Sequence, residues 1–558
     1  MKKHIALLFA CLALSFVWGQ NTVGVVSHNP SKAQAGYNLI FPHNQPYTYL
    51  LDNCGQIVKQ WGDEIYDPGN AAYLHTNGNL YRCGTRYALS NPQINAGGGG
   101  EVIDIWSWEG ELLWRYAYNS PTYRLHHDIA VMPNGNILAI AWEKKTVGQA
   151  IAAGRDPDNL PQGSLWPDHI VELEPVGSNE ANIVWEWYAW DHLVQDFDST
   201  KDNYGVVADH PELININYDT HDGAADWLHM NSIDYHPTLD QIVLSVPFFN
   251  EIWIIDHSTT TEEAASHMGG RGRRGGDLLY RWGNAAAYDR GAANTQRLYF
   301  QHDAHWLDIE LTPEHPDYGK IGVFNNRFAE NYSMVNTIIP PFDSTTWSYL
   351  LTDKGTWGPN LYDWYYTSPE REDFYSDILS NMQRLPNGNT LMTAGRSGYV
   401  REITPMGETV WEYKLPLNAG IPVSQGTTIP ASVNTFLFRM KRYTPNYPAF
   451  IGKDLTPSGY LELEPNTELC GQWVSLEDEL TQLPIHIGPN PFTDQLTLDL
   501  SEVVSPKGYE IEVWNAKGER VYQFRHNESR ISLHTQAWEA GIYLIRINHR
   551  TSMKLLRQ

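Results

Sequence analysis

Four short segments, far apart in the chain, carry the side chains best suited to moving a charged group. They are His126-His127-Asp128, Asp226-Trp227-Leu228-His229-Met230-Asn231-Ser232, Gln301-His302-Asp303-Ala304-His305-Trp306 and Val323-Phe324-Asn325-Asn326-Arg327. Imidazole is neutral and nucleophilic near pH 7, so a histidine can take a group covalently and divide one hard displacement into two easier ones. It can also act as general acid and base toward an oxygen that leaves or attacks. Oxygens carrying negative charge are stabilised by a guanidinium or a second, protonated imidazole. His229 and His302 lead the candidates, followed by His126 and His127, with His305 behind them. With His221, these histidines could instead hold a metal ion, but no compact ligand spacing stands out, so no metal and no cofactor is expected.

These segments can cooperate only if the fold brings them together, and internal repeats predict that it does. The run VIDIWSWEGELLWRY at 102–116 aligns with VREITPMGETVWEY at 400–413, placing Gly110 on Gly407 and Trp114 on Trp411. The same aromatic ending recurs at Trp61, Trp185, Trp282 and, more loosely, Trp347, with neighbours 53 to 97 residues apart. Between them sits a second unit built on Asn-Gly: HDIAVMPNGNILAI at 127–140, NMQRLPNGNTLMT at 381–393 and a degenerate LHTNGNLYRCG at 74–84. Asn-Gly between apolar runs favours a tight hairpin, since both residues tolerate positive φ. Six copies of strand, hairpin, strand predict an all-β, six-bladed β-propeller, with an irregular sandwich array as the alternative. In a propeller the innermost strands converge on one channel, and three of the repeats place imidazole at the start of the same strand.

The last 75 or so residues form a separate unit. Alternating strands from 485 to 558 predict a small C-terminal β-sandwich, preceded by a linker at 464–484. Pro489-Asn490-Pro491-Phe492, then Gly518, then Gly541-Ile542-Tyr543, resembles the C-terminal sorting domain of the type IX secretion system. That resemblance implies type IX secretion machinery as a partner. At the other end, Lys2 and Lys3 precede an apolar run at 5–17 and a small Gly19, the pattern of a signal peptide at 1–19. No later stretch reaches the ~20 apolar residues of a transmembrane helix, so an exported, secreted or cell-surface protein is expected.

Loss of Cys11 with the signal leaves Cys54, Cys83 and Cys470. Two readings stay open: a Cys54–Cys83 disulfide with Cys470 left over, or three unpaired thiols. A net charge of −26 excludes a nucleic-acid partner, which wants basic stripes. The basic exception, Arg271, Arg273 and Arg274 among glycines, reads as a mobile loop first and an anion contact second.

The string DWLHMNSI, then QHDAHWL, then VFNNR, resembles the bacterial arylsulfotransferase pattern, and the likeness spans most of 20–463. It implies sulfuryl transfer from a phenolic sulfate ester to a phenol through a sulfated histidine, without a nucleotide donor. By resemblance His229 and His302 are channel histidines, Arg327 binds the sulfuryl group and Asn231 adds a polar contact. The family's sulfated histidine follows the arginine, on a later blade, but this chain has no His between His315 and His486. His126, His127, His229 or His302 would then take that role. The competing readings are an aryl sulfate hydrolase and a non-catalytic propeller that binds glycans or a surface partner.

Overall fold

The three Asn-Gly segments fold into superimposable hairpins. In each, the glycine N–H donates three residues back, to His75, Met132 or Leu385, at 2.9 Å. The Asn side chain of each, Asn77, Asn134 and Asn387, accepts from the N–H two residues on. Only the glycine takes positive φ, +90° at Gly78, +91° at Gly135 and +86° at Gly388. The asparagine therefore contributes its amide, as in an Asx turn, rather than the left-handed backbone expected for it.

These hairpins begin three of six antiparallel sheets that follow one another along the chain. The computed structural model describes residues 21–557 except 64, 87–90, 308–310, 371–373, 431–434, 471–485, 490, 501–507, 516–519 and 548–550. The signal peptide, most of the linker, Asn490 and Gly518 thus lie outside the described residues. The protein is all-β, with only short helices between strands. Innermost strands are Met440–Tyr443, Asp67–Leu74, Tyr123–Val131, Ser232–His236, His302–Trp306 and Asn381–Arg384, in sheet order from first to sixth. Each sheet touches the next, from the second to the fifth along their inner strands, and the sixth touches the first. The two ends of this region interlock: Gly24–His28 adds a strand to the sixth sheet, while Met440–Tyr443 pairs with Tyr37–Ile40 of the first.

The recurring tryptophans tie one sheet to its neighbour. Indole N–H groups of Trp61, Trp114, Trp282 and Trp411 donate to carbonyls of Ser107, Glu180, Pro359 and Asn53 on the following sheet, and Trp185 donates to the Thr259 hydroxyl. Trp347 breaks the expected pattern. It precedes a two-residue strand, Ser348–Tyr349, and the outer strand of the fifth sheet is Trp364–Tyr366. Trp364 makes a different link: the Arg384 guanidinium of the sixth sheet lies 4.3 Å from its ring.

Where the inner strands meet, Arg439 is buried between two carboxylates. Its guanidinium reaches Asp128 Oδ2 at 2.6 Å and Asp303 Oδ1 at 2.9 Å, and it donates to the Tyr73 hydroxyl. Tyr73 in turn donates to Asp128 Oδ1 at 2.8 Å. One side chain therefore binds the inner strands of the second, third and fifth sheets to the start of the first. To one side of this bridge lies a cavity of about 380 Å3, lined among others by Asp234, Tyr235, His305, Trp306 and Lys441.

Contacts divide the chain into Met1–Asn466 and Thr467–Gln558. The second unit has a three-stranded and a four-stranded sheet that share one core, including Phe492, Leu496, Ile511, Val513, Ile531 and Ile545. Both cysteine expectations fail: Cys54 is disulfide-bonded, and Cys83, its expected partner, is a buried free thiol. Burial holds the Cys83 thiol well above its usual range. Among the described residues no helix is long and apolar enough to cross a membrane.

Two substitutions test these ties by denaturant unfolding. Arg439→Met strands two buried carboxylates without a countercharge and should cost roughly 3–5 kcal/mol. Trp411→Phe leaves the Asn53 carbonyl without its indole and should cost about 1–3 kcal/mol. Wild-type stability in either variant would contradict the assigned role.

Candidate active site

Adjacent residues on a strand point to opposite faces, so His126 and His127 should diverge. They do not, because His127 takes a left-handed backbone, φ +53°. The two rings meet edge to face with Nδ1 atoms 2.9 Å apart. The same device recurs at His229, φ +56°, just before Ser232–His236, and at Asp303, φ +61°, just after His302. Non-glycine residues held there cost of order 1–3 kcal/mol each and persist where the surroundings over-determine them. Gly98 helps to permit it: a Cβ there would lie 2.1 Å from the His127 ring.

His229 forms a dyad with Asp226, Nδ1 to Oδ2 at 2.5 Å. The Trp142 indole donates to the other Asp226 oxygen at 2.9 Å and so orients the carboxylate. A carboxylate on Nδ1 fixes the proton there and leaves the Nε2 lone pair available. Burial works to lower the His229 pKa, but the charge and hydrogen bond of Asp226, with the Asp168 charge, outweigh it and raise the value above 6.5. Its ring lies 4.6 Å from that of His127 and stacks on Phe248 at 4.7 Å.

Behind His127 runs a relay. His126 shares its Nδ1 with His127, approaches Asp168 Oδ1 through Nε2 at 2.6 Å and stacks on Trp142 at 3.9 Å. Asp168 Oδ2 accepts the Met230 N–H, beside His229. Burial holds both His126 and His127 well below the ordinary histidine value, and it pushes Asp168 well up.

His302 is locked. The Asn326 amide donates to the carbonyls of Ser376 and Leu379, so its Oδ1 is an acceptor and the Nδ1 of His302, 2.8 Å away, is the donor. The remaining lone pair on Nε2 accepts the Leu379 N–H at 3.2 Å. Burial, partly opposed by the Asn326 bond, pushes its pKa down to about 3. Asn231 is fully buried, with its amide donating to the Gln301 carbonyl at 2.8 Å. Arg327 is exposed and lies over the Phe300 ring at 3.7 Å. That ring also neighbours His302 and His229, at 5.9 and 6.4 Å. The fold thus gathers His127, His229, His302 and Arg327 around Phe248, Phe300 and Phe438. His305 stands apart. The register shift between His302 and His305 sends its ring to the 380 Å3 cavity, which His126, His127, His229 and His302 do not line.

With this geometry in view, a family model described as arylsulfotransferase (ASST) matches residues 24–416. The chain belongs to the arylsulfotransferase family. A secretion system C-terminal sorting domain matches residues 486–557, and this type IX tail marks the family member as secreted or cell-surface. No curated protein matches the chain. Similar solved structures include a protein of unknown function from Bacteroides caccae, 9% identical, with 68% of this chain and 94% of that one covered at a TM-score of 0.36. A putative 6-phosphogluconolactonase from Bacteroides fragilis is 9% identical, with 74% and 99% covered at 0.32. Streptogramin B lyase is 13% identical, with 76% and 96% covered at 0.31.

In this arylsulfotransferase-family chain the late position without a histidine is put to structural use. Asn381 exchanges two hydrogen bonds with the Met440 backbone, and Ser380 Oγ takes the Gly395 N–H. Reading the sequence for chemistry placed Asp226 in a candidate segment without a role, and missed Trp142, Asp168 and the phenylalanines. Asp226 had a signal, three residues before His229; Asp168 and Phe248 had none, since only folding brings them near.

The Asp226 pairing has a definite pH signature. A histidine raised above 6.5 contributes stability in full below that value and loses it as pH rises through the folded-state value. In Asp226→Asn, burial acts unopposed by that charge, so the His229 ring resonances should titrate at lower pH by NMR. An unmoved midpoint would show that the dyad does not set the His229 charge.

Proposed function

We propose that the protein is an exported aryl-sulfate sulfotransferase that uses His229 as its nucleophile. In the first half-reaction Nε2 of His229 attacks the sulfur of a phenolic sulfate ester. The N–S bond forms as the S–O bond to the phenol breaks, and phenolate leaves. In the second, the acceptor phenol's oxygen attacks the sulfur of the sulfated histidine, the N–S bond breaks and the acceptor's proton passes to His127. The His126–Asp168 relay spreads the charge that this proton brings. Arg327 stabilises the sulfuryl oxygens, and the Phe248 and Phe300 rings hold the phenol. His302, with both nitrogens engaged, acts as a positioning residue, and Asn231 holds the wall behind His229. Neither a nucleotide donor nor a cofactor takes part.

The observation that carries this reading is the Asp226–His229 dyad beside a guanidinium laid on Phe300. Of the four histidines considered for the missing family nucleophile, His302 has both ring nitrogens hydrogen-bonded, and His126 is fully buried behind His127, out of reach of a substrate. Between the other two, His229 has the carboxylate partner and the partly exposed ring. Around this centre we read residues 20–463 as a six-bladed propeller, 464–484 as a linker and 485–558 as a β-sandwich handed to the type IX machinery, with 1–19 as the cleaved signal.

Purified protein given a chromogenic aryl sulfate should release phenol faster when a second phenol is added. His229→Ala should lose turnover by at least about 10³-fold while staying folded, and Arg327→Ala should lose roughly 10²–10³-fold in kcat. Activity should rise with pH as His229 deprotonates, and Asp226→Asn should shift that acid limb to lower pH. Acceptor-independent release would mean hydrolysis, and no release with any aryl sulfate would mean a binding module.

A further inference from the structure

The glycine-rich loop at 265–277 is tied down, contrary to the expectation of mobility. Gly272 and Arg271 N–H groups donate to Asp256 Oδ2 and Ser258 Oγ, and the Gly275 and Gly276 N–H groups donate to the Gly269 and Ser266 carbonyls. The winding brings His267 and Asp277 against His192, which follows the third sheet. Asp277 Oδ1 lies 2.8 Å from Nδ1 of His192 and 2.8 Å from Nδ1 of His267. The donor atoms of all three side chains fall within 4.8 Å of one another.

Hydrogen bonding around His192 gives this cluster its direction. Nε2 of His192 sits 2.8 Å from the Ala264 carbonyl, which can only accept, so Nε2 carries a proton. Nδ1 is then turned on a carboxylate oxygen, where it needs either a second proton or a cation between the two. A ring whose far N–H is held by a backbone carbonyl, with its near nitrogen aimed at a carboxylate, is the arrangement that orients a metal-ligating histidine. The support extends outward. Trp187 stacks on His192 and donates its indole N–H to the Gly276 carbonyl at 2.7 Å. Gly276 must be glycine, since a Cβ there would lie 2.0 Å from the Ala264 oxygen and 2.5 Å from His192 Nε2.

We propose that His192, His267 and Asp277 bind a divalent transition-metal ion of the zinc class, clamping the glycine-rich loop to the segment after the third sheet. Two imidazole nitrogens and one carboxylate oxygen are a borderline-soft set that suits this class better than calcium or magnesium. A metal ~2.1 Å from each donor needs them roughly 3.4 Å apart, so they would spread by about half an ångström. His267, whose side chain is 61% exposed, can supply that movement. Access is open as well: His267 and Asp277 line a surface cavity of about 570 Å3 with His210, Glu212 and Arg274. Glu212 offers a further carboxylate there, and Arg274 the opposing charge. Binding exchanges the nitrogen-bound protons for the ion and releases them to solvent. This site is independent of the sulfuryl-transfer reading.

The test uses the full chain freed of metal with a chelator. Zinc titrated by calorimetry should fill one tight site and raise Tm, and cobalt(II) should give the visible bands of a four-coordinate nitrogen–oxygen site. His267→Ala, at an exposed position, should keep the metal-free Tm yet weaken zinc binding at least about tenfold and abolish the cobalt bands. Asp277→Asn should do the same to binding. Equal binding by wild type and His267→Ala, or none by wild type, would overturn the proposal and leave two imidazoles hydrogen-bonded to a carboxylate. If Asp277→Asn fails to fold, His267→Ala still decides.

Discussion

The Arg439 guanidinium, buried between Asp128 and Asp303, is the constraint on which the centre of this protein depends. Carboxylates from two sheets converge in the protein interior, and each would be costly to bury alone. A single cation is shared by both, and the Tyr73 hydroxyl closes the network. The inner strands are therefore held by charge as well as by packing. The imidazole cluster and the 380 Å3 cavity are built around that balance, with Asp128 next to His127 and Asp303 next to His302.

Backbone strain accompanies this anchoring in and just before the inner strands. His127, His229 and Asp303 all take left-handed backbone next to residues fixed by the core. Such kinks let neighbouring residues leave the alternation of a strand, so one turns into the cluster while the other joins the bridge. The kink at Asp303 also separates His302 from His305. Imidazoles three residues apart in the chain thereby acquire different surroundings, one locked by Asn326 and Leu379, the other lining the cavity.

Four imidazoles in one neighbourhood are not equivalent, and local hydrogen bonding rather than residue type separates them. Burial lowers the pKa of His126, His127 and His302. His229 alone among them is raised, because a carboxylate sits on its Nδ1. The family expectation of a histidine on a later strand meets Ser380 instead, whose hydroxyl takes the Gly395 N–H. Within the proposed reaction, the nucleophile has moved to the one ring that pairs an aligned carboxylate with a free nitrogen.

Strand repeats, the hairpin turns and the family likeness were legible in the sequence because each is local. Asn-Gly turns act within five residues, and a tryptophan on the fourth strand from the inside in five of the six sheets marks one period of a repeated contact. Trp347 misled because a matching string does not reveal whether it reaches the neighbouring sheet. Ring protonation was not legible, since apart from Asp226 it depends on partners 24 to 77 residues away, such as Asn326, Asp168 and Leu379. Sequence by itself determined which side chains were present and roughly which strand each began. Only tertiary structure decided which imidazole keeps a free nitrogen, because a lone pair is taken or left by whatever donor the fold brings within about 3 Å.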